Sequence, residues 1–311
     1  IGWRASKHES DNLNIDKNGV RINPYISSEI SSKDKEVWIF GGSTMWGFGV
    51  FDDQTIPYYL QNKLQIPVIN FGEQGWVSRQ ELNFLLNKLD AILIANKKTP
   101  KDVIFYDGIN DANVGCLSGS KYKNPYVHHM HEDIQLLVST NLRKGYKYWI
   151  KGNLKQITWR LNNYLDNFFP GVNKLYTTLK ISNTKRADQR FSYNKCSDKD
   201  YAKRVASNLI TNWEAAYYLL LNKNINFKAI LQPTPYDHPI YPGYRDSLTR
   251  VSYDNVYYFV KKLASNKPWF VDGTKWFNDV NIPVFTDDCC HLSPKGNELI
   301  AEKIYKLYLN D

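Results

Sequence analysis

The sequence predicts an α/β fold built on a parallel sheet covered on both faces. Three observations carry that expectation. Short, continuous apolar runs alternate with longer segments of helical period. The runs lack the in–out alternation of a half-exposed strand, as strands buried on both faces do. The reactive side chains fall just after these runs, beyond the C-terminal strand ends where sites gather in open parallel sheets.

Each element has its own warrant. Residues 1–35 are polar, with Asp16-Lys17-Asn18-Gly19 as a turn between short extended pieces. Glu36–Phe40 reads as a buried strand, followed by a glycine-rich turn and a helix over Ile56–Leu64. Pro67–Phe71 is a second strand. Ser78-Arg79-Gln80-Glu81 has the form of a capping box, opening a helix striped by Leu82, Leu85, Leu86, Leu89 and Ile92. Asp102–Tyr106 is a third strand. Tyr201–Leu221 is helical, Phe227–Leu231 a fourth strand, Val251–Leu263 a helix and Trp269–Val271 a short fifth strand. Ser293-Pro294 starts a last helix striped by Leu299, Ile300, Ile304 and Leu307, with proline at its first position.

Between the third strand and Tyr201 the alternation stops. Asn141–Phe169 interleaves Tyr146, Tyr148, Trp149, Trp159, Tyr164, Phe168 and Phe169 with lysines and arginines, as amphipathic helices do. The expected organisation is an N-terminal extension (1–35), a first half of the core (36–115), a basic aromatic insertion (116–200) and a second half (201–311). With 311 residues, 42% of them hydrophobic, one large domain can bury a sizeable core.

The net charge of +9 is concentrated. Lys121–Arg204 holds 17 Lys/Arg against 6 Asp/Glu, more than the whole surplus. Such a local field suits an anionic neighbour: lipid headgroups, an acidic glycan or nucleic acid. No nucleic-acid recognition fold accompanies the charge, so nucleic acid is not expected as a partner. The insertion reads as a lid over the core, an element on an anionic membrane surface, or a glycan groove with aromatic faces for sugar rings.

No apolar run reaches the roughly 18 residues that suggest a membrane span. The first residue, Ile1, leaves room for an upstream leader or anchor. Four cysteines are too few for a disulfide scaffold, but they leave room for one bridge. Cys116 to the Cys289/Cys290 pair is the attractive pairing if both flank one site.

Three short segments supply the chemistry. Ser43 follows a strand and two glycines, but a neutral hydroxyl needs a base to become a nucleophile. His291 can be that base, with Asp288 three residues earlier orienting the ring; Asp287 competes for that role with a less suitable spacing. The backbone N–H groups of Ser43 and Gly75 and the side-chain amide of Asn110 are the donors chosen for a developing oxyanion. Trp46, Trp76 and Asp111, beside these motifs, are assigned to substrate contact.

Four blocks in order resemble the SGNH (GDSL-like) hydrolases: Gly41-Gly42-Ser43-Thr44, Ile69–Gly75, Gly108-Ile109-Asn110-Asp111 and Asp288-Cys289-Cys290-His291. The resemblance covers about 36–111 and 201–311. It implies a flavodoxin-like three-layer sandwich with about five parallel strands and a Ser-His-Asp mechanism. It also places the donor glycine at Gly75. The aspartate of the familiar G-D-S form is Gly42 here, outside the four catalytic positions. The G-G-S-T form is similar to bacterial members acting on cell-envelope glycans. That implies an esterase for O-acyl, chiefly O-acetyl, groups on a carbohydrate or polysaccharide, located outside the cytoplasm. The alternatives are an O-acetyltransferase acting on a surface polysaccharide and a non-catalytic glycan-binding protein.

Other readings of the same residues are weaker. The glycines near Ser43 lack the Lys-Ser/Thr of a phosphate loop. His128-His129-Met130-His131 reads as a surface cluster rather than a zinc site. No cofactor and no metal are expected.

Overall fold

The computed structural model describes residues 3–24, 35–95, 99–117, 195–236, 238, 247–287 and 289–309. The aromatic stretch 141–169, the histidine cluster at 128–131 and Asp288 lie outside them. Five strands, β1 (Val37–Gly41), β2 (Val68–Asn70), β3 (Asp102–Asp107), β4 (Asn226–Leu231) and β5 (Phe270–Asp272), form one parallel sheet in the order β2-β1-β3-β4-β5. This is the flavodoxin-like order the resemblance implies, with its switch point between β1 and β3.

Side-chain period fixes which face each residue serves. Trp38 and Phe40 of β1, Val103 and Phe105 of β3, and Phe227, Ala229 and Leu231 of β4 join one buried cluster. Val37, Ile39, Ile104, Tyr106 and Ile230 join the other. Both faces are therefore core, which is why the strands read as unbroken apolar runs.

Among the described residues, seven α-helices accompany the sheet: α1 (Ser43–Trp46), α2 (Ile56–Leu64), α3 (Ser78–Ile94), α4 (Ile109–Leu117), α5 (Lys199–Leu221), α6 (Ser247–Ala264) and α7 (Pro294–Leu309). Leu82, Leu85 and Leu89 of α3 pack with Leu209 and Trp213 of α5 on one face. Ile56 and Leu60 of α2 pack with Ile300 and Ile304 of α7 on the other. Among the described residues no helix is long and apolar enough to cross a membrane.

Two local expectations need correction. Ser78 is the first residue of α3 rather than its cap, and its hydroxyl donates to Asp111 at 2.6 Å. The Val77 N–H instead donates to the Gln80 side chain, which takes over the reciprocal part of the box. Of the predicted apolar stripe, Leu86 is exposed. The last helix does begin as its sequence suggests, with the Gly296 N–H donating to the Ser293 hydroxyl at 3.2 Å ahead of a full turn.

The disulfide also differs from the expected pairing. Cys116, in the last turn of α4, bonds to Cys196, in a short 3₁₀ turn before α5, with the two Cα atoms 5.2 Å apart. Both sulfurs are buried. Cys116 looks toward α5 and α6 rather than toward the turn carrying Cys289 and Cys290, because α4 and the 3₁₀ turn both pack on that pair of helices.

The N-terminal segment is part of the core. The Asp16–Gly19 turn closes as expected, with Asp16 accepting from the Asn18 and Val20 N–H groups. Beyond it lies Arg21, essentially inaccessible to solvent. Its guanidinium pairs with Asp52 at 2.7 Å and donates to the carbonyls of Trp46, Gly47 and Val50 while lying over the Trp46 ring. Removing the guanidinium would leave the buried Asp52 charge without its cation and take one donor from each of the three carbonyls. Arg21→Ala is therefore expected to destabilise the fold by about 3–5 kcal/mol, read from the midpoint of denaturant unfolding.

Candidate active site

The site forms at the switch point, where adjacent crossovers leave β1 and β3 in opposite directions. Strand β1 ends at Gly41, and its exit delivers Ser43 as the first residue of α1. The first N–H groups of a helix have no intrahelical acceptor, so the Ser43 N–H is available to a ligand beside its own hydroxyl. Strand β3 ends at Asp107 and delivers Asn110 as the second residue of α4. β1 and β3 are neighbours in register, Gly41 opposite Tyr106, so both exits open at the same level.

His291 comes from the turn before α7. Its Nε2 stands 2.8 Å from Ser43 Oγ, across 248 residues of sequence. The ring is partly buried, and Phe48 lies over it with ring centroids 4.5 Å apart. Phe48 is itself half-exposed, so it forms a wall between the imidazole and solvent. Sequence reading gave no reason to select it. Its position in the Gly47–Gly49 turn was the available signal.

The carboxylate on the other ring nitrogen belongs to Asp287: its Oδ2 is hydrogen-bonded to His291 Nδ1. Asp288, favoured for this role from its spacing, lies outside the described residues. The physical reason for Asp287 is the turn that it organises. Its Oδ1 accepts from the backbone N–H groups of Cys289, Cys290 and His291 at 3.0, 3.0 and 3.2 Å. One oxygen thus winds the chain back on itself while the other meets the ring. Burial alone would raise this carboxyl. The His291 ring and the backbone donors outweigh that effect and hold it below the ordinary aspartate range.

Asn110 lies against Gly42 and donates through Nδ2 to the Trp76 carbonyl at 2.8 Å. A neutral amide has a second N–H, which remains for an oxyanion. The contact is close: a Cβ at position 42 would come within 2.2 Å of Asn110 Nδ2. Glycine in place of the familiar aspartate is thus a condition for Asn110 to stand where it does. Gly75 occupies a turn at φ +71°, a conformation that favours glycine. That turn is gripped by the N-terminal segment. Trp3 Nε1 donates to the Gln74 carbonyl, Trp76 Nε1 donates to the Trp3 carbonyl, and the Ala5 N–H donates to Glu73.

The three residues assigned to substrate contact are placed elsewhere. Trp46 is buried beneath Arg21, and Trp76 is fully buried against Phe84. Asp111 is buried and accepts from both the N–H and the hydroxyl of Ser78. All three belong to the frame, because the helix and loop starts that present Ser43 and Asn110 must themselves be packed and hydrogen-bonded.

Beneath Asn110 lies a carboxyl cluster unforeseen from sequence, formed by Glu81, Asp107 and Asp111. Asp107 accepts from Trp213 Nε1 at 2.8 Å, and Asn212 supports the Ser78 hydroxyl. Both Glu81 oxygens lack a hydrogen-bond donor among the described residues. Glu81 therefore needs its own proton, which faces Asp107. Burial pushes Asp107 up to about 6, tempered by Glu81 and Trp213. Burial and the Asp107 charge push Asp111 to about 7, and Glu81 is raised well above its usual range by burial and both neighbours.

No protein-family model matches this sequence, and no curated protein matches it. Solved structures with similar overall shape include a lipolytic protein of the G-D-S-L family from Veillonella parvula, at 14% identity and TM-score 0.45 over 88% of this chain and 98% of that one. A lipase/acylhydrolase from Enterococcus faecalis is 14% identical at TM-score 0.45, covering 88% and 94%. An acetylxylan esterase from Geobacillus stearothermophilus is 16% identical at TM-score 0.41, covering 89% and 95%.

Three expectations follow from this geometry. Asp287→Asn should lower kcat toward a small ester by about 10³–10⁴, whereas Asp288→Asn stays within about tenfold of the parent in the same assay. Gly42→Asp, which restores the familiar motif, should lower kcat by about 10²–10³ through displacement of one oxyanion donor, with KM little changed. The carboxyl cluster sets a pH dependence of stability. Unfolded carboxyls release their protons near pH 4, but the folded cluster keeps them to about 6 and 7. Between these limits the folded state binds more protons, so stability falls as pH rises. Melting temperatures from pH 5 to 8 should show this fall, and Glu81→Gln should make it shallower.

Proposed function

We propose that this protein is a serine esterase of the SGNH type, acting on O-acyl, chiefly O-acetyl, groups of a carbohydrate. The observation that carries the reading is the line Ser43 Oγ, His291 Nε2, His291 Nδ1, Asp287, with 2.8 Å between hydroxyl and ring. That line sits at the switch point of a parallel sheet, with the Asn110 amide beside it. Hydroxyl, base, orienting carboxylate and amide donor are the parts acyl transfer needs.

In this mechanism Ser43 Oγ attacks the ester carbonyl carbon as its proton passes to His291 Nε2. Asp287 holds the tautomer with Nδ1 protonated and stabilises the imidazolium that forms. Charge developing on the carbonyl oxygen meets the Ser43 N–H, the Gly75 N–H and the free N–H of Asn110. Collapse of the tetrahedral species expels the sugar hydroxyl, which takes the proton from His291 and leaves Ser43 acylated. Water then gives its proton to His291, adds to the acyl carbon and releases acetate and Ser43. If a second sugar hydroxyl replaces that water, the same residues make a transferase.

The carbohydrate assignment rests on the G-G-S-T block and its resemblance to glycan-acting members. An extracytoplasmic location is supported by the Cys116–Cys196 disulfide, since such bonds persist in oxidising compartments. Contact of the basic segment with an anionic surface belongs to the same reading.

Turnover of nitrophenyl acetate tests the chemistry. Ser43→Ala and His291→Ala should each lose about 10⁴–10⁶ in rate; activity within tenfold of the parent in either variant would remove the serine mechanism. Mass spectrometry of an acetylated xylo-oligosaccharide, incubated with and without an unacetylated acceptor sugar, tests the substrate. Free acetate is the expected product, and acetyl on the acceptor would identify the transferase.

A further inference from the structure

Cys289 and Cys290 take no part in the proposed chemistry, yet they lie in the turn between Asp287 and His291. Neighbouring residues in extended chain point their side chains to opposite sides. Here the two sulfurs meet at 2.6 Å, within about 0.6 Å of the covalent S–S distance of about 2.05 Å. The cause is Asp287. Three successive N–H groups converge on its Oδ1, which curls the backbone so that both Cβ–Sγ bonds fall on one side.

The surroundings of the two thiols differ. Cys290 is fully buried, and its carbonyl accepts from Thr44 Oγ1, the residue after the nucleophile, at 3.2 Å. The hydrogen bond with Cys289 and burial push its thiol well up, so it resists ionisation. Cys289 is partly exposed. The same chain carries one closed disulfide, Cys116–Cys196, well apart in sequence from this pair.

We infer that Cys289 and Cys290 are a redox modification site, closing a vicinal disulfide that fixes the turn holding Asp287 and His291. The co-reactant is a thiol-oxidising disulfide, RSSR. The Cys289 thiolate attacks one of its sulfurs and expels RS⁻, leaving a mixed disulfide. Cys290 then gives up its proton, displaces the second RS⁻ and forms the intramolecular bond. Two thiols are oxidised, RSSR is reduced to two RSH, and both protons end on the released thiols. Cys289, the exposed sulfur, is the point at which a reductant reopens the bond. In the closed form the turn is held by a covalent ring as well as by the Asp287 hydrogen bonds, so the pair positions the imidazole without touching substrate. Only this kinetic consequence rests on the proposed esterase reading.

The experiment uses the full chain, incubated with oxidised glutathione, denatured without reductant, treated with iodoacetamide and digested with trypsin. The expected result is that the peptide from Trp276 to Lys295 carries no carbamidomethyl group and is two hydrogens lighter than its dithiol form. Reduction before alkylation should add two such groups. Two carbamidomethyl groups without reduction, glutathione left on either sulfur, or a bridge to Cys116 or Cys196 would overturn the assignment. The second arm follows nitrophenyl acetate turnover as a phosphine reductant opens the bond, with the peptide map confirming that Cys116–Cys196 stays closed. kcat should fall by about tenfold, the scale of a small misalignment, with KM unchanged, and Cys289→Ser should be insensitive to the reductant. A closed bond whose opening leaves kcat unchanged would overturn the positioning role, while an inactive protein with the closed bond would count against the esterase reading alone.

Discussion

The proposed chemistry depends on one distance, that between the Ser43 hydroxyl and the His291 ring. The two atoms concerned are separated by 248 residues and stand 2.8 Å apart. Meeting that tolerance requires α7 to dock against α2, which Ile300 and Ile304 secure.

Much of the frame around the nucleophile comes from residues distant from the four motif blocks. Arg21 ties down the carbonyls of the loop that follows α1, and residues 3–5 tie down the loop around Gly75. The N-terminal segment thus grips both the loop that follows α1 and the loop that carries Gly75. Each grip is a set of hydrogen bonds to backbone or buried carboxylate, which fixes the loops beside Ser43.

The strands were legible because they depend on local signals, while their order came only with the family resemblance. Buried runs such as Val37–Phe40 have no polar side, and Gly41-Gly42-Ser43 and Gly108–Asp111 announce tight exits. The carboxylate partner was harder. A three-residue spacing suggested Asp288, but the choice is made by three N–H groups converging on Asp287, a feature of the turn rather than of the spacing. Trp46, Trp76 and Asp111 were misassigned for a related reason: proximity to a motif in sequence does not tell mouth from foundation. Arg21, Glu81 and the Cys116–Cys196 pairing emerge only when distant segments are packed together, and no local pattern marks them.

The order of the chain has a consequence for biogenesis. During synthesis the nucleophile leaves the ribosome well before the imidazole that activates it, with more than two hundred residues still to be made. Until the turn at Asp287 and the helix behind it dock, Ser43 is an ordinary alcohol. On the proposed reading, the hydroxyl becomes reactive only when the last segment of the fold is in place.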